Sequence, residues 1–310
     1  MISFGPVPSR RLGQSLGVNN IPPKVCTYAC VYCQLGKPRR MQVNRQEFYS
    51  PAMIHEDVEQ KIHEARAREE RIDYLCIVPD GEPSLDENLG VTIDGLKETG
   101  IKTAVISNAS LVDRQDVRDE LAKASWVSLK VDAMSRDTWR KINRPHRRLD
   151  LERILDGVKE FAASYHGILA TETMLVKGVN DNEEELQRIA SFIGSFQPDV
   201  AYISIPTRPP AEMSVELPDE KSINRAFQVF SDSIENVEYL IGYEGNTFAF
   251  TGNVEDDILS ITSVHPMRQD AVEEFLQKSG SNWNVIRNMI ENERLVETEY
   301  GGNRFYMRKL

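Results

Sequence analysis

The sequence has few cysteines and no long apolar segment. Only four cysteines occur among 310 residues, which argues against the disulfide framework of a small secreted protein. No apolar stretch is long enough to span a bilayer, and the N-terminus lacks the pattern of a signal peptide. Internal repeats and low-complexity segments are not evident either. We therefore expect a globular, cytoplasmic protein without membrane association.

Negative charge is missing from one stretch of an otherwise acidic chain. The net charge of −11 argues against a protein that binds nucleic acid nonspecifically over its whole surface. Even so, seven basic residues and no acidic one lie between Arg10 and Arg45. A second basic run covers residues 136–148 and contains a single acidic residue, Asp137. The two runs are either solvated faces or the contact surface of an anionic ligand, and we favour the ligand.

Three of the four cysteines are clustered. Cys26, Cys30 and Cys33 have C-x3-C-x2-C spacing, with Tyr32 just before the last cysteine. Three thiolates on one loop can hold a metal centre that keeps an open position for an exchangeable ligand. The alternative is a zinc site that borrows a distant fourth ligand. Cys76 is the remaining cysteine, but it lies in an apolar run, where cysteine usually behaves as a small hydrophobic residue.

Strand and helix patterns alternate six times in the first 250 residues. We predict strands at residues 16–21, 74–78, 102–106, 126–131, 168–176 and 200–205. Amphipathic helices are predicted at 54–69, 91–98, 112–123, 151–165, 182–196 and 221–234. Such alternation is typical of an α/β fold with a parallel sheet and right-handed crossovers, here an open, barrel-like one. The loops at the carboxyl ends of the strands are then the expected place for chemistry.

The C-terminal pattern differs from this alternation. Residues 270–278 and 283–291 have helical periodicity, and residues 295–308 predict a β-hairpin with Gly301 and Gly302 at its turn. Two helices followed by a hairpin resemble a winged helix. We predict two domains, 1–252 and 253–310. Acidic residues outnumber basic ones in the second, which disfavours DNA binding and favours capping of the barrel or contact with a protein partner.

The cysteine spacing together with Tyr32 resembles the motif of the radical S-adenosylmethionine (SAM) enzymes. The resemblance implies a partial (β/α)6 barrel with the cysteines in the loop after its first strand. It implies that Cys26, Cys30 and Cys33 bind three irons of one [4Fe–4S] cluster and that SAM binds the fourth iron. A one-electron reductant of the ferredoxin or flavodoxin type would let the cluster cleave SAM reductively. The resulting 5′-deoxyadenosyl radical would abstract hydrogen from the substrate.

The same resemblance predicts which residues contact SAM. Asp80-Gly81-Glu82-Pro83 resembles the motif that holds the SAM amino group, although Asp80 replaces its first glycine. The full set predicted to bind the cofactor is Tyr32, Gly81, Glu82, Pro83, Ser107, Asn108, Lys130, Asp132 and Ile205. Ser107 and Asn108 also fit a turn or helix cap. Lys130 also fits a buried ion pair, with Glu172 as its partner. We assign no catalytic protein residue.

A wider set of motifs narrows the resemblance. Residues 4–13, 107–111, 142–145 and 174–181 resemble the archaeal-type group related to the tRNA wyosine-base (imidazoline-forming) synthase. That synthase carries further cysteines for a second cluster, and here no cysteine precedes Cys26. We expect an anionic substrate, either an RNA or tRNA base or a phosphorylated cofactor precursor. The alternative is an activase that makes a glycyl radical on a partner protein docked on residues 253–310.

Overall fold

The computed structural model describes residues 2–241, 248, 250, 252–264 and 266–309. The ends of the predicted domains at Met1 and Leu310, and Thr251 beside their boundary, lie outside the described residues. One curled, eight-stranded sheet dominates the fold, in the order β1-β2-β5-β6-β7-β8-β9-β10. Its strands are β1 (Ser3–Ser9), β2 (Gly13–Val18), β5 (Tyr74–Ile77), β6 (Lys102–Ser107), β7 (Trp126–Lys130), β8 (Ile168–Met174), β9 (Val200–Ser204) and β10 (Val237–Leu240). The short strands β3 (Val25–Cys26) and β4 (Arg40–Met41) form a separate parallel pair.

Seven helices connect the strands of this sheet. They are α1 (Pro51–Ala67), α2 (Leu89–Lys97), α3 (Gln115–Leu121), α4 (Arg136–Ile142), α5 (Leu151–Ser164), α6 (Glu183–Gly194) and α7 (Glu220–Ser231). Strands β2 and β5 to β10 run parallel, as the alternating pattern predicts, so the partial barrel is confirmed. None of the described helices is both long and apolar enough to cross a membrane.

Three elements of the barrel differ from the prediction. Strand β1 pairs antiparallel with β2 and extends the sheet at one edge, where Pro6 and Pro8 hide the strand pattern. Strand β10 adds a seventh parallel strand at the other edge. Helix α4 begins after Ser135, whose side chain accepts a hydrogen bond from Thr138 N, and it is too short for clear periodicity. Strands β1 and β10 extend the sheet at its two edges, and α4 lies in the connection between β7 and β8, so the fold class is unchanged.

The sheet buries apolar side chains on both faces, as parallel sheets do. On the outer face, Leu75, Val105 and Ile203 belong to the main core with the apolar faces of the helices. On the concave face, Cys76 and Trp126 form a smaller cluster. The curl brings the edge turn between β1 and β2 close to β8, since Arg11 forms an ion pair with Glu172. The concave face is therefore partly enclosed.

The C-terminal residues form a small α/β unit. Its elements are α8 (Val254–Val264), β11 (Met267–Arg268), α9 (Gln269–Lys278), α10 (Trp283–Glu291), β12 (Leu295–Tyr300) and β13 (Asn303–Arg308). The two predicted helices and the hairpin are confirmed, whereas α8 and β11 are additions. Strands β11, β13 and β12 form an antiparallel sheet. Phe4 and Val7 of β1 share a core with Phe275 of α9, so the unit packs against the edge of the barrel. The winged-helix identity and the division into two domains stay predictions.

Candidate functional site

The cysteine loop follows β2 and passes beside the carboxyl ends of the parallel strands. All four cysteines are free thiols, and the three in the loop are partly exposed. Burial raises the pKa of the Cys26 thiol well above its usual range, and the pKa of Cys30 to about 12. Burial also raises the pKa of Cys33. The neighbouring cysteines contribute to the pKa increases of Cys26 and Cys30. The three sulfurs are therefore close enough to repel one another as thiolates.

Two asparagine amides face the cysteine sulfurs. Asn108 Nδ2 lies 3.6 Å from Cys26 Sγ and donates to Thr27 Oγ1 at 2.8 Å. Asn143 Nδ2 lies 3.5 Å from Cys30 Sγ, and this contact lowers the pKa of that thiol. Amide donors stabilise thiolate ligands and tune iron–sulfur centres. Asn143 was not predicted as a site residue, although it lies within the motif at 142–145.

The donor set of this loop suits an iron–sulfur cluster. It offers three thiols, each of which can bind a different iron, and amide donors for the sulfurs. Within the described ranges, no three Cys, His, Asp or Glu side chains converge closely enough to share a single ion. Cys76 is 2% exposed and packs on the concave face with Leu12 and Trp126, as a small hydrophobic residue does. It therefore does not complete a zinc site with the loop.

The Asp80–Pro83 segment is joined to the cysteine loop through its backbone. Gly81 forms an isolated parallel bridge with Val25, and Glu82 N donates to Val25 O at 3.2 Å. A Cβ on residue 81 would lie 1.9 Å from Val25 O, so only glycine allows this approach. Pro83 begins a single 3-10 turn, and its carbonyl accepts from Asn20 Nδ2 at 3.0 Å. The motif and Cys26 are thus held in fixed register.

Glu82 connects this segment to the end of β6. Its side chain is fully buried; Oε1 accepts from Ser84 Oγ at 2.6 Å and Ser107 Oγ at 2.7 Å, and Oε2 accepts from Asn108 N at 2.7 Å. Burial raises the pKa of Glu82, while these donors oppose the increase. The structure therefore brings Glu82, Ser107, Asn108 and Cys26 into one network.

Tyr32 and Asp132 form a second buried network. The Tyr32 hydroxyl donates to Asp132 Oδ2, which also accepts from Asn143 Nδ2 at 2.7 Å. Asp132 Oδ1 accepts from Met174 N at 2.9 Å. Burial, followed by the Asp132 charge, raises the pKa of Tyr32 well above its usual range. The Asp132 carboxylate is engaged by protein donors and fixes the cysteine loop to β7 and β8.

Lys130 forms the ion pair that the sequence analysis gave as its alternative. Its Nζ lies 2.8 Å from Glu172 Oε1 and 5.4 Å from the centre of the Tyr32 ring. Arg11 contacts the other oxygen of Glu172. Burial alone would raise the pKa of Glu172, but Lys130 and Arg11 outweigh it and lower the value to about 2. The Glu172 charge in turn raises the pKa of Lys130 against the effect of burial.

A cavity of about 230 Å³ opens on the concave face beside the cysteine loop. Tyr32, Cys33, Lys130 and Ile205, all predicted site residues, line it. The charged side chains in its wall are Arg10, Arg11, Lys130, Glu172 and Arg208, and apolar ones include Leu35, Val78, Ile106 and Met174. Arg10, Arg11 and Arg208 also line the cavity but were not among the predicted site residues. Their signal was the basic run at the N-terminus and an arginine just after a predicted strand.

The two basic runs both contact the cysteine loop and meet each other beside it. Arg40, in β4, pairs with Val25 of β3, and His146 N donates to Thr27 O at 2.9 Å. Arg148 reaches across to Asn44 Oδ1 at 2.8 Å. We define the outer rim as four exposed arginines, namely Arg39, Arg40, Arg147 and Arg148.

Other members of the runs are held by carboxylates. Lys37 and Arg144 both pair with Glu212, at 3.0 and 2.5 Å. The Arg45 side chain is 6% exposed and pairs with Asp116 and Glu120. Part of each basic run is therefore paired with carboxylates within the protein.

Comparison with known proteins places the chain in a family. A model of the Radical SAM superfamily matches residues 20–192. The UPF0026 protein MJ1312 of Methanocaldococcus jannaschii is 44% identical over 311 residues, which are 100% of this chain and 96% of that protein.

Two solved structures share the fold. A radical SAM methyltransferase from Sphaerobacter thermophilus has a TM-score of 0.56 at 16% identity, covering 73% of this chain and 66% of the other. TYW1 with a lysine–pyruvate adduct has a TM-score of 0.53 at 17% identity, covering 71% and 74%. The chain therefore belongs to the radical SAM superfamily and is an enzyme that uses a [4Fe–4S] cluster and SAM.

Proposed function

We propose that Cys26, Cys30 and Cys33 hold the cluster and that the enzyme abstracts hydrogen from a base in RNA. Once bound there and given an electron by a ferredoxin- or flavodoxin-type partner, the cluster would allow SAM to be cleaved to methionine and a 5′-deoxyadenosyl radical. The chain's own residues bind and orient the two cofactors and the substrate and exclude water from the radical. This function agrees with the resemblance to the group related to the wyosine-base synthase.

In this proposal, SAM lies along the loops that end β5 and β6. Gly81 and Pro83 shape the first loop, and the Glu82 carboxylate fixes it to Ser107 and Asn108. Because protein donors already engage that carboxylate, Glu82 acts on SAM mainly by positioning the backbone around it. Ile205 supplies an apolar wall for the adenine.

Tyr32 and Asp132 have a positioning role in the same proposal. Their hydrogen bond, together with the Asn143 amide, holds the cysteine loop at the carboxyl ends of β7 and β8. Neither side chain needs to contact the substrate for this role. Lys130 lies next to the Tyr32 ring and is paired with Glu172 in the wall of the concave cavity.

The single observation that carries the choice of RNA is the outer rim. Four exposed arginines converge on the cysteine loop from two distant parts of the sequence. Arginine is well suited to phosphate because its planar fork donates two parallel hydrogen bonds. The rest of this acidic chain repels a polyanion, so RNA would be oriented with the rim, and hence the cysteine loop, against it.

Salt-dependent binding tests this proposal. The full chain with its cluster reconstituted is titrated into fluorescently labelled, unmodified transfer RNA at several salt concentrations. If four phosphates are contacted, the slope of log affinity against log salt should be about −3. Arg39→Gln/Arg40→Gln should reduce that slope by about half, and Arg147→Gln/Arg148→Gln should do the same. Each variant should keep its full iron content.

Arg66→Gln/Arg71→Gln is the matched control. Both arginines are exposed and precede the amino end of β5, opposite the cysteine loop. The control removes the same charge and should leave the slope nearly unchanged. If the affinity for transfer RNA does not depend on salt and is unchanged when all four rim arginines are replaced, the rim is only a solvated face. Release of 5′-deoxyadenosine that depends on a partner protein and not on RNA would instead favour the activase.

A further inference from the structure

The C-terminal unit contains a cavity of about 270 Å³ between α10 and the hairpin of β12 and β13. Trp283 and Tyr306 line it, with their ring centres 5.6 Å apart and their planes at 52°. Tyr306 is 2% exposed, whereas Trp283 is only partly buried. Part of the indole is therefore open to a ligand in the cavity, and such a face stacks on other flat rings.

Polar groups surround the two rings. The Tyr306 hydroxyl donates to Glu297 Oε2 at 2.9 Å, and Arg304 Nε pairs with Glu297 Oε1 at 3.4 Å. Arg287 also lines the cavity; it is exposed and forms no ion pair with any side chain in the described part of the chain. Residues 253–310 are acidic as a whole. Among the described lining residues, however, two guanidinium groups face one carboxylate, so the cavity has a positive balance.

The hairpin that forms one wall of the cavity extends to the surface around the cysteine loop. Gly301, at its turn, lies beside Leu217, because a Cβ on residue 301 would be 3.8 Å from Leu217 Cδ1. Leu217 belongs to the segment between β9 and α7, and Glu212 N of that segment donates to Val31 O of the cysteine loop at 3.0 Å. The hairpin turn therefore lies at the same end of the barrel as the cysteine loop.

The chemistry of the cavity favours a base in RNA over a side chain of a protein partner. An aliphatic anchor needs only an apolar wall, whereas this wall combines rings with a carboxylate and two guanidinium groups. Proteins hold unpaired RNA bases by stacking them on aromatic side chains and by hydrogen bonds to their edges. Arginine supplies contacts to the neighbouring phosphates.

We propose that the cavity binds one unpaired base of the RNA substrate. Trp283 stacks on the base, Glu297 accepts a hydrogen bond from its exocyclic amino group, and Arg287 contacts an adjacent phosphate. This inference rests on the proposed function, because it adds a second contact to the same RNA. The C-terminal unit then selects a single-stranded region, while the outer rim attracts phosphates without regard to base pairing.

Single-stranded RNA distinguishes stacking from charge attraction. A labelled oligocytidylate and a blunt RNA duplex of the same length are titrated into the cluster-loaded chain at several salt concentrations. Trp283→Leu should weaken single-strand binding about tenfold at every salt concentration, a typical loss for one stacked base. The salt slope should stay the same, because an indole releases no counterion. Duplex affinity should change less than twofold, since paired bases cannot enter the cavity.

Two further variants and a control sharpen the assignment. Trp283→Phe keeps a ring and should keep the single-strand affinity within about threefold. Arg287→Gln should reduce the single-strand salt slope by about 0.7, the value for one phosphate. Tyr239→Leu is the matched control, because Tyr239 is 37% exposed on β10, outside the C-terminal unit. It should change binding less than twofold. Iron content and thermal unfolding verify that each variant is folded.

The outcomes separate this inference from the proposed function. If Trp283→Leu does not fold, Arg287→Gln decides, since its side chain is exposed. If the folded variants keep full RNA affinity, the cavity is left to a protein partner and the inference is overturned. It is also overturned if Trp283→Leu weakens the duplex as much as the single strand. If the rim variants leave RNA binding unchanged while Trp283→Leu weakens the single strand, the rim proposal fails and the cavity stands.

Discussion

The outer rim and the concave cavity are both rich in arginine, yet they differ in almost every physical respect. Rim side chains are exposed, so salt screens their charges and their contribution to stability is small. In the cavity, Arg11, Lys130 and Glu172 are largely buried, so their charges are screened less and interact more strongly. The rim therefore suits a flexible polyanion that binds through many weak contacts. In the cavity wall, Arg11 and Lys130 are instead paired with Glu172 and so contribute to the fold.

The cysteine loop lies between these two regions, and disrupting it has the largest expected effect. The reconstituted chain should contain about four irons and four sulfides. Cys26→Ala, Cys30→Ala or Cys33→Ala should each abolish the cluster, whereas Cys76→Ala should retain it and lose only some packing on the concave face. Iron and sulfide analysis of anaerobically prepared protein measures this. Iron loss in Cys76→Ala would make Cys76 a ligand and contradict the assignment of the loop.

The next largest effect is expected inside the cavity. Glu172→Gln leaves Arg11 and Lys130 facing each other without their shared carboxylate, and breaking such buried pairs costs about 3–5 kcal/mol. Because Arg11 and Lys130 keep some exposure, we expect the free energy of unfolding to decrease by about 3 kcal/mol. Denaturant titration measures it. Lys130→Met/Glu172→Gln should be less destabilising than Glu172→Gln alone, and equal losses would contradict the pairing.

Acid titration distinguishes the same carboxylate from its neighbours. The pKa of Glu172 is lowered to about 2 in the folded chain by Lys130 and Arg11, against about 4.3 for a free glutamate. Its stabilising contribution is therefore complete above the unfolded pKa and is lost as pH falls toward 2. Glu172→Gln should flatten the decline in stability over this window, as measured by unfolding between pH 5 and pH 2. An unchanged slope would mean that the carboxylate is not held by the two cations.

These interactions also mark the boundary of what could be predicted from the sequence. The six parallel strands and the cysteine loop could be predicted because apolar runs and cysteine spacing are local features. The contact between Arg11 and Glu172 joins residues 161 positions apart and depends on the curl of the sheet. Asn143 could not be assigned a role for the same reason, since Cys30 and Asp132 reach it only after folding. Sequence patterns therefore predicted the candidate site residues, and long-range packing determined how the charges around them are arranged.

The outer rim should show the smallest effect on stability. Arg39→Gln/Arg40→Gln and Arg147→Gln/Arg148→Gln should each change the free energy of unfolding by less than about 0.5 kcal/mol, because exposed charges away from buried networks contribute little. Thermal and denaturant unfolding check this, with Arg66→Gln/Arg71→Gln as the matched control. If the free energy of unfolding decreased as much as in Glu172→Gln, the rim arginines would have to stabilise the fold.

The central claim is that the outer rim binds RNA, whereas the paired charges in the cavity wall serve the fold. The most direct measurement is the affinity for transfer RNA, compared between the fourfold rim variant, Lys130→Met/Glu172→Gln and Arg66→Gln/Arg71→Gln. The rim variant should weaken RNA binding by at least tenfold. The other two variants should leave the affinity within twofold when iron content and unfolding show that they are folded. If all three variants weaken RNA binding to the same degree, the rim is not the RNA contact and the account is wrong.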